Sequence, residues 1–198
     1  FIFFQLVVNV TALLLVLGGS MIGTELPLTI TQMLWVNLIM DTFAAMALAS
    51  LPPESEVMKE KPRKQTDFII NRHIAWAIGI VGLLFFGLMF GLLYYFERVA
   101  GVSAEELTVF FTIFVMLQWW NLFNAKSLGS RRSAFHKFLS DRGLLFVLFI
   151  ILAGQWLIVE FGGKMFRTVP LDIETWLWIV LGTSPVMIVG EILRRIRR

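Results

Sequence analysis

There is no cysteine among the 198 residues of this chain, and charged side chains make up only 16% of it. Without thiols it has no disulfide framework and no thiolate metal site, which excludes soft-metal chemistry through cysteine. It also lacks a His-Glu-x-x-His helix, a glycine-rich phosphate loop ending in Lys-Ser/Thr, and any polar stretch long enough for a soluble catalytic domain. The net charge of +3 is too small to point to nucleic acid, and no nucleic-acid partner is expected.

What is present instead is apolar surface. The chain is 58% hydrophobic with a mean hydropathy of +0.79, outside the range of an ordinary soluble domain. Six apolar stretches, 1–19, 29–51, 74–96, 107–124, 143–161 and 175–193, approach or exceed the ~20 helical residues that cross a ~30 Å hydrocarbon core. They are apolar on all sides rather than alternating, so helices are expected and not barrel strands. The expected fold is all-α: a polytopic bundle of six transmembrane helices.

Orientation follows from the basic residues. Lys59, Lys61, Arg63, Lys64 and Arg72 fall between spans two and three, and Lys126, Arg131, Arg132, Lys137 and Arg142 between spans four and five. Arg194, Arg195, Arg197 and Arg198 follow span six, whereas only Arg98, Lys164 and Arg167 lie on the opposite side. Positive residues mark the cytoplasmic face, so both termini are expected inside. The tail Glu191–Arg198 suits topology anchoring, with contact to anionic lipid as a lesser role. The chain begins at Phe1 within a span and carries no signal-peptide pattern, so it reads as a fragment.

Local signals refine the spans. Gly18-Gly19 is expected to end span one, and Pro52-Pro53 to stop span two, since proline lacks the amide donor. Gly79, Gly82, Gly87 and Gly91 include a Gly-x-x-x-Gly step suited to close helix approach in lipid. Thr183-Ser184-Pro185 predicts a kink in span six, with a neighbouring hydroxyl or helix satisfying the carbonyl that proline frees. Trp76, Trp156, Trp176 and Trp178 lie towards span ends, whereas Trp119 and Trp120 lie deeper and are expected to pack.

One residue needs a reason. Asp41 is the only ionisable group between Thr29 and Leu51, near mid-span, where a charge costs at least ~2.5–3.5 kcal/mol and marks ion or proton paths. Asn37 precedes it at the i, i+4 spacing that aligns two oxygen-bearing side chains on one helix face. A hard cation such as calcium takes six to eight oxygens, so this pair supplies only part of a shell. Asn9, Gln118 and Asn121 are supporting candidates at similar depth, with interhelical hydrogen bonding as the competing role. Glu160, Glu191, His73 and His136 sit at span ends or in basic loops and read as interfacial. No second Asn-x-x-x-Asp pattern occurs, which counts against an inverted-repeat transporter.

The segment Gln32–Ala44, with Ala47-Leu-Ala and Pro52-Pro-Glu54, resembles the sixth transmembrane helix of P-type calcium-transporting ATPases, the plasma-membrane type most nearly. Phe4–Val10 is similar to the fifth helix of that family, Phe114–Gln118 with Asn121 and Asn124-Ala-Lys126 to the eighth, and Phe161–Lys164 to the next external loop.

The resemblance implies helices five to ten of a ten-helix membrane domain. Asn37 and Asp41 would coordinate calcium together with an unwound fourth helix that lies outside the chain. Two-site pumps carry glutamates where this chain has Ala12 and Gln118, so one calcium per cycle is expected. Asn9 and Gln118 then support rather than ligate. ATP and Mg2+ belong to the phosphorylation and nucleotide-binding domains, which this chain lacks; alone it is expected to be inactive. Its partners are expected to be the lipid bilayer and the remaining helices and cytosolic domains of the same pump, in the plasma membrane. Calcium rests on the resemblance, because hard oxygen ligands suit manganese and magnesium as well. The competing readings are a secondary cation transporter or channel using Asp41 as a proton or cation site, and a structural membrane bundle.

Overall fold

The computed structural model describes residues 1–24, 27–49, 51, 70, 72–126, 141–188 and 190, and not the side chains of residues 39–41 and 73. These residues form helices, turns and short connections, with no strand among them. The expectations on Pro52-Pro53, His136, Glu191, the Arg-rich tail and most of the loop lysines and arginines lie outside the described residues.

Helix α1 (Ile2–Ile22) runs one turn past its expected end and stops at Gly23, which adopts φ 76° and donates its amide to Gly19 and Ser20 carbonyls. Gly18 and Gly19 are therefore interior helix residues. Gly18 lies under an aromatic side chain of the third span, where a Cβ would come within 2.8 Å of Phe90 Cε2. Close packing, not chain termination, explains it.

Helix α2 (Ile30–Trp35), a π-helical turn (Val36–Met40) and helix α3 (Asp41–Ala49) make up the second span. Helix α4 (Arg72–Tyr95) continues into a second π turn, Phe96–Ala100. It packs mainly on α1 through Ile78, Gly82, Phe85, Met89 and Leu93, a stripe at three- and four-residue spacing. The glycine step expected to mediate packing falls off this stripe. Around Gly79, Gly87 and Gly91 an added Cβ would meet nothing within 4 Å among the described residues, whereas at Gly82 it would meet Val10 at 3.3 Å. Thr11 Oγ1, bonded to Val7 O at 2.7 Å, also reaches Gly82 O at 3.5 Å.

One prediction follows from this contrast. Gly18→Leu forces a side chain into Phe90 and is expected to destabilise the membrane domain by about 1–3 kcal/mol, the usual cost of overpacking. Gly87→Leu, on the open face, is expected to leave it unchanged; thermal unfolding in detergent reads the difference.

Helix α5 (Ala104–Lys126) is the most enclosed element, burying Phe110, Phe111, Phe114, Leu117 and Leu122. Helix α6 (Arg142–Phe161) follows; Lys126 at the end of α5 pairs with Asp141 at the start of α6, closing the connection between them. A short helix α7 (Gly163–Phe166) and then α8 (Ile173–Thr183) complete the chain order. Asp172 caps α8: the Thr175 hydroxyl, then its amide, hold the carboxyl below its usual range. Because that value is depressed on folding, the cap is present at neutral pH and is lost as pH falls through it.

Among the described residues five helices are long and apolar enough to span a bilayer: 2–22, 30–49 across the π turn, 74–100, 104–126 and 142–161. The sixth, Ile173–Ile188, is apolar but shorter as far as it is described. Its break falls where Pro185 requires it. The carbonyl of Leu181, four residues before the proline, accepts instead from Ser184 N (3.2 Å) and Ser184 Oγ (2.8 Å).

Candidate functional site

The second span is held by its first turn. Thr29 Oγ1 accepts from the Gln32 amide at 3.2 Å, and Gln32 Oε1 accepts from the Thr29 amide at 2.8 Å, so two otherwise orphaned donors are satisfied reciprocally. The same Gln32 side chain donates through Nε2 to Phe166 O at 2.8 Å, and Thr31 Oγ1 donates to Met165 O at 2.9 Å. Gln32 is 1% exposed. One buried amide thus closes the cap of α2 and fastens it to α7.

Beyond Trp35 the helix widens. The π turn covers Val36–Met40 and includes Asn37; Asp41 opens α3 on its far side. Bonding from i to i+5 inserts one residue into the helical register, and such turns concentrate at functional sites. The Asn-x-x-x-Asp spacing therefore falls on a locally rebuilt helix, not on the uniform α-helix that its sequence suggests. Asn37 is exposed at the surface of the described bundle. For Asp41 the backbone position is described.

Helix α5 distributes its polar residues over three faces, following the ~100° step of an α-helix. Toward α6, Trp119 Nε1 donates to Leu148 O at 3.0 Å and Thr112 Oγ1 accepts from Gln155 Nε2 at 3.4 Å. Toward the last span, Trp120 Nε1 donates to Thr183 Oγ1 and Asn124 Nδ2 to Val186 O, both at 3.0 Å. Trp119 and Trp120 thus pack, as their depth suggested, and each also donates a hydrogen bond. Gln118 and Asn121 fall on the remaining face of a helix that also packs on α1 and α4. Both are 0% exposed, and neither amide has a hydrogen-bond partner for its nitrogen or its oxygen among the described residues. Buried polar groups are nearly always partnered, so two unsatisfied amides on one face mark a place where water, another helix or a cation completes the bonding.

The sequence candidates therefore separate. Gln118 and Asn121 lie in the interior, Asn9 is half-buried on α1, and Asn37 faces outward on the second span. They differ in exposure, and the Asp41 side chain lies outside the described residues. No three of histidine, cysteine, aspartate and glutamate converge as a metal cage among the described residues. Glu160 is half-buried near the end of α6, in keeping with an interfacial position. Sequence reasoning missed Gln32, although the Thr29-x-x-Gln32 spacing is a capping-box signature. It also missed the π turn, which has no compositional signal.

These elements define a multi-pass helical membrane protein with several polar side chains set within its spans. Residues 25–196 match the family described as cation transporting ATPase, C-terminus, and the chain belongs to that family. It is 34% identical over 207 residues to plasma membrane calcium-transporting ATPase 2 of Oreochromis mossambicus, covering 99% of this chain and 19% of the relative. It is also 34% identical over 212 residues to plasma membrane calcium-transporting ATPase 3 of Homo sapiens, covering 99% of this chain and 17% of that protein. A similar protein from Gallus gallus, plasma membrane calcium-transporting ATPase 1, matches at 34% identity over 209 residues, 99% of this chain and 17% of the relative. The chain spans less than a fifth of the length of these curated relatives.

Proposed function

We propose that this chain forms the C-terminal helices of the ion path of an ATP-driven calcium-export pump of the plasma membrane, and that Asn37 and Asp41 supply part of a single calcium site. The observation that carries the reading is the coincidence of the Asn37–Asp41 pair with a π turn in the middle of a membrane span. A π turn frees backbone from the α-helical ladder, and one hard oxygen-bearing residue lies within it and another directly follows it, which is the donor chemistry calcium requires.

In this reading calcium is the cargo. The outward-facing Asn37 and the mid-span Asp41 meet ligands from helices of the same pump that lie outside this chain. Asn9, Gln118 and Asn121 support the site from within the bundle without serving as primary ligands. ATP and Mg2+ act on the cytosolic domains of the full-length pump, whose phosphorylation cycle moves the helices around Asp41. The basic loops and both termini face the cytoplasm, in accordance with the positive-inside rule. Similarity to plasma membrane calcium-transporting ATPases along 99% of the chain supports the choice of calcium and of the plasma membrane.

The test is ATP-dependent calcium uptake by the full-length pump in sealed vesicles. Asn37→Ala removes one neutral ligand and keeps the charge, and is expected to raise the half-maximal calcium concentration about tenfold, the equivalent of ~1.4 kcal/mol. Unchanged calcium activation in both Asn37→Ala and Asp41→Asn would overturn the assignment.

A further inference from the structure

We propose that Trp35 and Gly154 form a seat that positions the calcium-binding turn, with α6 as the fixed strut; this rests on the functional reading above. Trp35 is the last residue of α2, immediately before the π turn. Its indole edge lies against Gly154 of α6 so closely that a Cβ there would sit 2.8 Å from Trp35 Cζ2 and nearer still to Cη2. Carbon atoms do not approach so closely without displacement, and an indole has no flexible end to swing away. The ring fits only because residue 154 has no side chain.

Two further observations make this a positioning contact and not general packing. The indole Nε1 is buried and has no hydrogen-bond partner among the described residues, so shape, not bonding, fixes the ring. Helix α6 also packs against α3 on the far side of the π turn, where Ala44 and Ala47 are 0% and 2% exposed. The strut therefore holds the span on both sides of the turn, while Gln32 pins its beginning to α7. A π turn carries one residue more than the α-helical register, and its path depends on how its two ends are held. With both ends referenced to α6, the height and rotation of Asn37 and Asp41 follow the position of Trp35.

Neither residue touches the ion in this arrangement, so the effect falls on affinity. The experiment measures calcium activation of ATP hydrolysis in the full-length pump carrying Gly154→Ala, with Gly87→Ala, on an open face, as a control. Gly154→Ala is expected to raise half-maximal calcium about tenfold, with maximal velocity within about twofold. Trp35→Phe, which empties the seat instead of crowding it, is expected to impair affinity as well, and serves as the second variant if Gly154→Ala does not reach the membrane. The double variant Gly154→Ala/Trp35→Phe is expected to recover affinity relative to Gly154→Ala, because a phenyl ring leaves room for the methyl.

Unshifted calcium activation in Gly154→Ala, or losses that add without recovery in the double variant, would overturn the seat. An Asp41→Asn pump measured in parallel separates the two layers. If Asp41→Asn loses calcium activation and Gly154→Ala does not shift it, the seat is wrong and the site stands. If Asp41→Asn and Asn37→Ala both keep calcium activation, the site and the seat fall together.

Discussion

Asp41→Asn in the full-length pump is expected to abolish calcium-activated phosphorylation by ATP at calcium concentrations that saturate the unaltered protein. The side chain keeps its size and one carbonyl oxygen but loses its charge and half of its acceptor capacity. Removing one partner from a buried pair of opposite charges costs about 3–5 kcal/mol, because the other charge is left without compensation. Applied to a cation in the middle of a bilayer, that raises the calcium required by about 100-fold or more. Asp41→Glu keeps the charge but lengthens the side chain by one methylene, and is expected to fall between Asn and the native residue. The amount of pump in the membrane and its thermal unfolding distinguish a lost ligand from a lost fold. Asp41→Asn with normal abundance and normal calcium affinity would show that the carboxylate serves another purpose.

Asp41 was legible in the sequence because a bilayer makes any isolated carboxylate conspicuous. The five long helices were legible for the same reason: apolar runs sized to a hydrocarbon core mark their ends to within a turn or so. What the runs do not carry is the path of the helix inside them. Val36–Met40 is as apolar as its neighbours apart from Asn37, and the same composition serves an α-helical or a π-helical turn. Asn37 stands four residues before Asp41 in the sequence, but its outward aspect depends on tertiary packing, which the spacing does not encode.

The glycines show the same division. Gly18-Gly19 looks like a helix end and Gly87-x-x-x-Gly91 like an interface. Gly18 instead packs under Phe90, and an added Cβ at Gly87 or Gly91 meets nothing within 4 Å among the described residues. Which face of a membrane helix is an interface depends on its partners, since lipid and protein are equally apolar. Gly154 carried no signal at all, because its role depends on Trp35, far away in sequence. Thr29-x-x-Gln32 is the opposite case: the signature was present, and its second function, the bond to Phe166 O, is a long-range contact that local spacing cannot reveal.

Replacing both interior amides, Gln118→Leu with Asn121→Leu, is expected to separate stability from transport. Each amide is fully buried without a protein partner among the described residues, and such a group costs about 1–3 kcal/mol. Apolar residues of similar shape remove that cost, so the double variant is expected to unfold at the same or a higher temperature than the unaltered pump. If the amides hydrate or approach the ion, the same replacement takes polar groups from the path, and half-maximal calcium is expected to rise about tenfold or more. A gain in thermal stability joined to a loss in calcium affinity is the signature of residues kept for transport at the expense of packing. The converse, lower stability with unchanged affinity, would assign Gln118 and Asn121 to hydrogen bonding between helices. The two measurements are independent, and leucine keeps the Cγ branching of asparagine on a helix that already buries Leu117 and Leu122. The outcome therefore turns mainly on the chemistry of the amides.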